Sequence, residues 1–223
     1  MEHQDNINRN DMFSTQIWTK DIDHIDNEAI AKYLLAKEQE DTEGHAVSSI
    51  GGWPWSDTVG GWQSKKTLEH EITGEHPKTT VLNKLHTSIK EVMHEIAIYN
   101  QYKTNIKIGY AGMWANVNRY KDFNMPHVHP QCDWSGVYYV KTPEDCGLIR
   151  FADPRKINML YRDELYQNVG QTTFHPDNKD DVGRVPKEGE LIIFPAYLEH
   201  QVLPNRTDEP RISISFNIKI AND

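Results

Sequence analysis

The chain has no apolar run approaching the roughly 20 residues that a membrane-spanning helix needs. Its opening, MEHQDNINRN, has neither the basic start nor the apolar stretch of a secretion signal. No membrane span is expected, and a cytoplasmic location is. Basic residues are also scarce: 24 Lys and Arg against 33 Asp and Glu leave a formal net charge of −9. Nucleic acids and anionic membranes are both bound through basic surfaces, so a general affinity for either is not expected. Cysteine is nearly absent, with Cys132 and Cys146 alone. At 223 residues the chain can bury a full core without cross-links, so two free thiols are expected rather than a bridge. There is no internal repeat, and no low-complexity segment beyond the polar amino terminus. The length fits one domain over 1–223.

The chain divides by periodicity into two parts, helical and loop support over 1–105 and a strand-rich core over 106–220. In the first, the Gln16-Ile17-Trp18 segment reads as an edge strand. Asp26 reads as the N-cap of a helix running to Lys37, with Ile30, Leu34 and Leu35 at helical spacing and an acidic Glu28 in the first turn. Between 43 and 65, Gly51, Gly52, Gly60 and Gly61 alternate with Trp53, Trp55 and Trp62, which predicts an ordered loop. Its indoles suit either a lid over a site or a seal at one end of a barrel. From Lys78 to Ile98, Leu82, Leu85, Ile89, Val92, Met93 and Ile96 recur every three or four residues and predict a helix of some five turns.

After residue 105 the period falls to two. Strands are predicted at Ile106–Asn118, Ser135–Val140, Gly147–Phe151, Glu190–Phe194 and Arg211–Ile220, separated by Pro, Gly, Asn and Asp clusters. Helices followed by a run of short strands imply a β-sandwich or barrel with the helices on one outer face. In the last strand Arg211, Ser213, Ser215 and Asn217 alternate with Ile212, Ile214, Phe216 and Ile218. A polar face on such a strand is either solvated or turned into a barrel that encloses a charged ligand.

His127 and His129, at i and i+2 in an extended segment, project to the same side and can converge on one ion. His200 follows the apolar strand ending at Phe194. Imidazole suits iron, zinc, copper and nickel. With 11 histidines in the chain, an isolated H-x-H pair carries little information. Its company carries more: Trp134-Ser-Gly-Val-Tyr-Tyr-Val140, Gly147-Leu-Ile-Arg-Phe151, Gly189-Glu-Leu-Ile-Ile-Phe-Pro195, His200-Gln-Val202 and Arg211-Ile-Ser213 follow in order.

With these motifs the chain resembles the 2-oxoglutarate/Fe(II)-dependent oxygenases, and within them a prolyl-4-hydroxylase-like group with an H-x-H-P, SGVYYV, FP and RISISFN signature. The resemblance spans residues 109–220. It implies an all-β core, a double-stranded β-helix of jelly-roll or cupin type with the N-terminal helices packed on one sheet. It also implies Fe(II), 2-oxoglutarate as small-molecule co-substrate, and O2. The expected activity is hydroxylation of a peptidyl, proline-like side chain or of an amino acid. His127 and His200 become iron ligands, Arg211 the cation that binds the far carboxylate of 2-oxoglutarate, and Tyr139 a residue touching the co-substrate. Ser213 adds a hydroxyl on the same face. A buried arginine among apolar neighbours is costly unless a carboxylate meets it, and its planar fork fits one bidentately.

The departure from that family is the third ligand. Where most members carry Asp or Glu two residues after the first histidine, this chain has His129. His129 is taken as the ligand, giving a three-histidine site. Asp133 from the following loop, or a site of His127 and His200 completed by water, are the alternatives. Arg155, after Asp153-Pro154, reads as part of a turn, and the resemblance implies that it contacts substrate. Two rival functions remain at this stage. One is a three-histidine cupin dioxygenase that does not use 2-oxoglutarate; the other is a non-enzymatic β-barrel binding metal or carbohydrate.

Overall fold

The computed structural model of the protein describes residues 14–41, 58–73, 80–103, 105–155 and 181–222. Trp53 and Trp55 lie outside them. Two antiparallel sheets face each other. The larger contains, in spatial order, β1 (Trp18–Asp21), β9 (Glu190–Pro195), β6 (Trp134–Lys141), β11 (Arg211–Asn222), β4 (Ile106–Asn118) and β3 (Trp62–Gln63). The smaller runs β2 (Thr58–Val59), β5 (Phe123–His127), β10 (His200–Val202), β7 (Ile149–Ala152) and β8 (Asp181–Arg184). This is the expected double-stranded β-helix. Each of the five predicted strands is present, extended or trimmed by no more than two residues at either end. The short strands β5 and β10 escape the periodicity argument because they hold only 5 and 3 residues. Pro126, Asn124 and the histidines also give β5 and β10 little of the Val/Ile signature of a strand.

Strand β11 explains the layering. Ile212, Ile214, Phe216 and Ile218 point outward into the main core, with Met113, Ala115 and Val117 of β4 and Trp134, Tyr138 and Val140 of β6. That core is closed by α1 (Asn27–Glu40) through Ile30 and Leu34, by the single turn α2 (His70–Thr73) through Ile72, and by α3 (Asn83–Tyr99) through Leu85, Ile89, Val92, Met93 and Ile96. Each such buried side chain contributes roughly 1.5–3 kcal/mol relative to exposure. The Asp26 carboxylate accepts from the Ala29 N–H at 2.9 Å, the expected N-cap. Helix α1 continues to Glu40 rather than stopping at Lys37, whose ammonium binds the Glu71 carboxylate at 2.7 Å. Helix α3 starts at Asn83, later than the hydrophobic spacing predicts, because Thr80–Asn83 forms a tight turn in which the Asn83 N–H bonds Thr80 O at 3.1 Å.

The other face of β11 points between the sheets. A second, smaller cluster there comprises Val137, Tyr139, Ile149, Phe151, Ile192, Phe194 and Leu198. Trp62 does not cover this interior. It sits in the helix-side core, its indole N–H donating to Asp41 at 3.0 Å, so Trp62 is not a lid over the cavity. Cys132 and Cys146 are free thiols. Among the described residues no helix is long and apolar enough to cross a membrane.

One turn sets the far end of the interior. Gly147 has φ +90, and a Cβ there would lie 2.2 Å from Leu203 O and 2.8 Å from Pro204 O, both backbone atoms that cannot swing aside. Replacing Gly147 by Ala combines a strained backbone with overpacking, and should lower stability by about 2–4 kcal/mol. Urea unfolding followed by tryptophan fluorescence measures it; a loss under about 0.5 kcal/mol, the range of a neutral surface change, would show that the turn is not so constrained.

Candidate active site

The interior face of the sandwich is a cavity lined by Trp114, Asn116 and Asn118 of β4, Val137 and Tyr139 of β6, Phe194 of β9, Arg211, Ser213 and Ser215 of β11, and the three histidines, among others. Of the residues singled out in the sequence, His127, His129, Tyr139, His200, Arg211 and Ser213 lie on it, and Asp133 and Arg155 do not. Strand alternation is the cause: residues two apart share a face, so the polar rows of β4 and β11 meet across their antiparallel register, Ser213 opposite Asn116 and Arg211 opposite Asn118.

At one end are the imidazoles. His127 closes β5 and His200 opens β10, and the two residues are direct cross-strand partners. Their rings are 4.2 Å apart between centroids. His129 sits in the loop beyond β5, held by its own N–H on Ala196 O at 2.9 Å, with its ring 5.0 Å from that of His127 and 5.1 Å from that of His200. One ligand nitrogen from each lies within 4.8 Å of the other two, and neutral imidazoles at such spacing can share one ion.

The second ring nitrogens determine how they would bind. His127 Nδ1 lies 2.7 Å from Met125 O, and His200 Nδ1 lies 2.8 Å from Leu198 O. A carbonyl only accepts, so in both neutral rings Nδ1 carries the proton and Nε2 the lone pair. Outer hydrogen bonds of this kind are what orient histidine ligands. The walls behind His200 are apolar: Phe194 packs against it edge-on at 4.5 Å, and Phe151 lies at 6.2 Å.

Asp133 does not join them. Its carboxylate accepts from the Ile220 N–H at 2.6 Å and its backbone pairs with Ile218 and Ala196, so the loop carboxylate is fixed against the edge of β11. Among the described residues, His127, His129 and His200 are the one group with metal-ligand spacing.

At the other end is a cation. Arg211 is 1% exposed. Its Nη1 donates to Cys146 O and to Leu203 O, the latter at 3.3 Å, on either side of the Gly147 turn. Its Nη2 is buried without a hydrogen-bond partner, as are Tyr139 Oη and Asn118 Nδ2. Among the described residues Arg211 forms no ion pair, and Asp122 acts on it only through its field, its own carboxylate accepting from the Arg119 N–H at 2.5 Å. Burial pulls the Arg211 pKa down, with the neighbouring Tyr139 opposing; burial pushes the Tyr139 phenol up, well beyond its ordinary value. The guanidinium nevertheless stays charged and the phenol protonated at neutral pH. Three buried groups able to donate, one of them cationic, thus lack acceptors on one cavity wall. Leaving such groups unmatched costs on the order of 1–3 kcal/mol each, and a carboxylate is the ligand that satisfies them.

Ser213 lies beside Arg211 on the same wall, 6% exposed. Arg155 is exposed and bound to Asp153, its backbone N–H and its guanidinium all donating to that carboxylate, which is the expected turn. Asn116 and Asn118 were not singled out from the sequence, and Asn217 was read only as part of the polar face of its strand. Their signal was present: carboxamides at alternate positions in otherwise apolar strands.

Residues 112–217, which contain every histidine and β11 residue of this cavity discussed above, match the model of a family described as "Putative 2OG-Fe(II) oxygenase". No curated protein sequence matches the chain significantly. Among solved structures, a Pseudomonas putida prolyl-4-hydroxylase is 12% identical, with 92% of this chain and 93% of that one covered and a TM-score of 0.56. The viral collagen prolyl hydroxylase of Paramecium bursaria Chlorella virus-1, in complex with 2OG, is 15% identical over 91% and 94%, with a TM-score of 0.53. The α-ketoglutarate-dependent carbocyclase SnoK of nogalamycin biosynthesis is 12% identical over 92% and 79%, with a TM-score of 0.58. At these identities the likeness is one of fold.

The two acidic and imidazole candidates separate cleanly in a metal titration. Asp133→Ala should leave Co(II) or Ni(II) affinity within a few-fold of the parent, while His200→Ala should lose more than the ~10–100-fold typical of removing an outer partner of a ligand. A large loss with Asp133→Ala would mean that the loop carboxylate swings onto the ion.

Proposed function

We propose that this chain is a 2OG-Fe(II) oxygenase, a reading supported by the match of residues 112–217 to that family's model, and that it is a hydroxylase whose iron is held by His127, His129 and His200 and whose 2-oxoglutarate is anchored by Arg211. The observation that carries the reading is the pairing, in one cavity, of three converging imidazoles with a buried guanidinium whose Nη2 has no protein acceptor. An ion site alone would suit the cupin or the structural-metal alternatives. Neither of those explains a charge buried at the opposite end of the same cavity.

The residues fit both groups. Nitrogen ligands of intermediate softness suit Fe(II). Arg211 Nη2, with the Tyr139 and Ser213 hydroxyls, suits the far carboxylate of a dicarboxylic acid. When bound, Fe(II) and 2-oxoglutarate supply the redox chemistry, in which O2 converts 2-oxoglutarate to succinate and CO2 while the prime substrate is oxidised. The chain's own groups bind and orient. His127 and His200 present Nε2 because Met125 O and Leu198 O hold the Nδ1 protons. Tyr139, kept protonated by burial, donates rather than repels. Val137, Ile149, Phe194 and Val202 line the cavity and exclude water, which strengthens every charge interaction inside it. Three neutral imidazoles leave the centre one positive charge above a two-histidine, one-carboxylate site, and a dianionic co-substrate offsets it.

For the prime substrate we favour a side chain of a peptide, proline-like, or of an amino acid. Exposed apolar side chains close in sequence to the histidines support an apolar contact: Met125 and Val128 near His127, and Tyr197 after the carbonyl that holds His129. The experiment that tests the core of the reading is aerobic release of succinate from 2-oxoglutarate by the purified chain, with and without Fe(II). Iron-dependent succinate supports it; O2 uptake with Fe(II) but no need for 2-oxoglutarate would favour the cupin-type dioxygenase.

Arg211→Lys keeps the charge and loses the fork. The apparent constant for 2-oxoglutarate should rise by about 30- to 1000-fold, corresponding to roughly 2–4 kcal/mol for a bidentate buried pair, with metal affinity intact. An unchanged constant would place the carboxylate elsewhere.

A further inference from the structure

Behind His129 lies a short polar chain. Ser135 Oγ and Asn217 Oδ1 are 2.8 Å apart, and Asn217 Nδ2 and His129 Nδ1 are 3.4 Å apart. Ser135 and Asn217 are cross-strand partners on β6 and β11, 1% and 8% exposed, so the chain is almost sealed from water.

We propose that Asn217 is a positioning residue that sets, by the direction its carboxamide faces, whether His129 serves as a metal ligand. The inference rests on the reading that His127 and His200 hold an ion. The three histidines are not equivalent in their second nitrogens. Those of His127 and His200 face backbone carbonyls, which can only accept and so impose one tautomer. The partner of His129 is a carboxamide, which donates at one end and accepts at the other.

With Nδ2 toward the ring, Nδ1 of His129 accepts. A neutral imidazole then has its proton on Nε2, and that nitrogen has no lone pair to offer an ion. With the carboxamide turned half round, Oδ1 accepts from Nδ1–H and the lone pair moves to Nε2, where a metal can use it. Both hydrogen bonds persist in either orientation, because the Ser135 hydroxyl can donate to Oδ1 in the first state and accept from Nδ2 in the second. The two states therefore differ in the polarity of the same two hydrogen bonds, not in their number. A cation at His127 and His200 favours the second. The site is built to convert between two and three imidazoles by one carboxamide rotation.

The test uses the full-length, metal-free protein with Cu(II) as probe, at one fixed pH. Affinity is measured by competition with a chelator, and the number of bound imidazoles by pulsed electron paramagnetic resonance. Asn217→Asp can only accept, so it locks the Nδ1–H tautomer; it should show three imidazoles and bind at least ~10-fold tighter than the parent. Asn217→Leu removes the partner and should bind ~10–100-fold weaker, with two imidazoles. Melting of the metal-free variants separates these effects from folding, and if Asn217→Leu does not fold, Asn217→Asp decides alone. Metal bound with the same affinity and imidazole count whatever stands at 217, or no tighter in Asn217→Asp, overturns this proposal and leaves the proposed function standing. A parent protein that binds no metal at the histidines overturns both.

Discussion

The constraint on which the interior depends is the burial of the Arg211 guanidinium. Moving an ion from water into protein costs several kcal/mol unless other groups compensate, and here the compensation from the chain is partial. Two carbonyls on either side of the Gly147 turn take Nη1, while Nη2 has no hydrogen-bond partner among the described residues. Strand β11 can carry such a charge inward only because its alternate residues bury enough apolar surface outward. Ile212, Ile214, Phe216 and Ile218 do so against helices α1 and α3. The helical layer is therefore a condition of the polar interior, since without it both faces of the large sheet would be poor at excluding water.

The opposite end of the cavity is built by a different route. His127 and His200 sit on paired backbones, so their separation follows from strand spacing and needs no further support. His129 comes from a loop and is positioned by one backbone hydrogen bond and one carboxamide. Two imidazoles set by a sheet and a third set in a loop give the proposed metal centre unequal stiffness. The loop's own carboxylate, Asp133, is engaged with β11 and stabilises the position of the loop instead of entering the site.

Much of this was legible along the chain. The period of two in 106–220, the two helices and the Asp26 cap follow from local sequence, and so does the polar row Arg211, Ser213, Ser215 and Asn217, but not that the row faces inward. The lateral order of the strands was not legible, and neither were β5 and β10, because strands of 3–5 residues with Pro and His carry almost no periodic signal. Trp62 read as a seal more readily than as a lid, and its burial in the helix-side core, bonded to Asp41, sets it away from the cavity. Asn118 and Asn217 could have been flagged as carboxamides at inward positions, but their significance lies in what they do or do not contact.

The sequence by itself determined the layers, the alternation that separates a polar from an apolar face, and the residue types available to an ion and to a carboxylate. Those are properties of neighbours in the chain, set by backbone period and side-chain chemistry. Only the tertiary structure decided that His200 stands across from His127, that Asp133 is tied away from the histidines, and that Arg211 has carbonyls on one nitrogen and no protein acceptor on the other. Each is a relation between segments brought together by strand pairing and loop closure, and the local sequence does not encode which polar atoms those contacts satisfy.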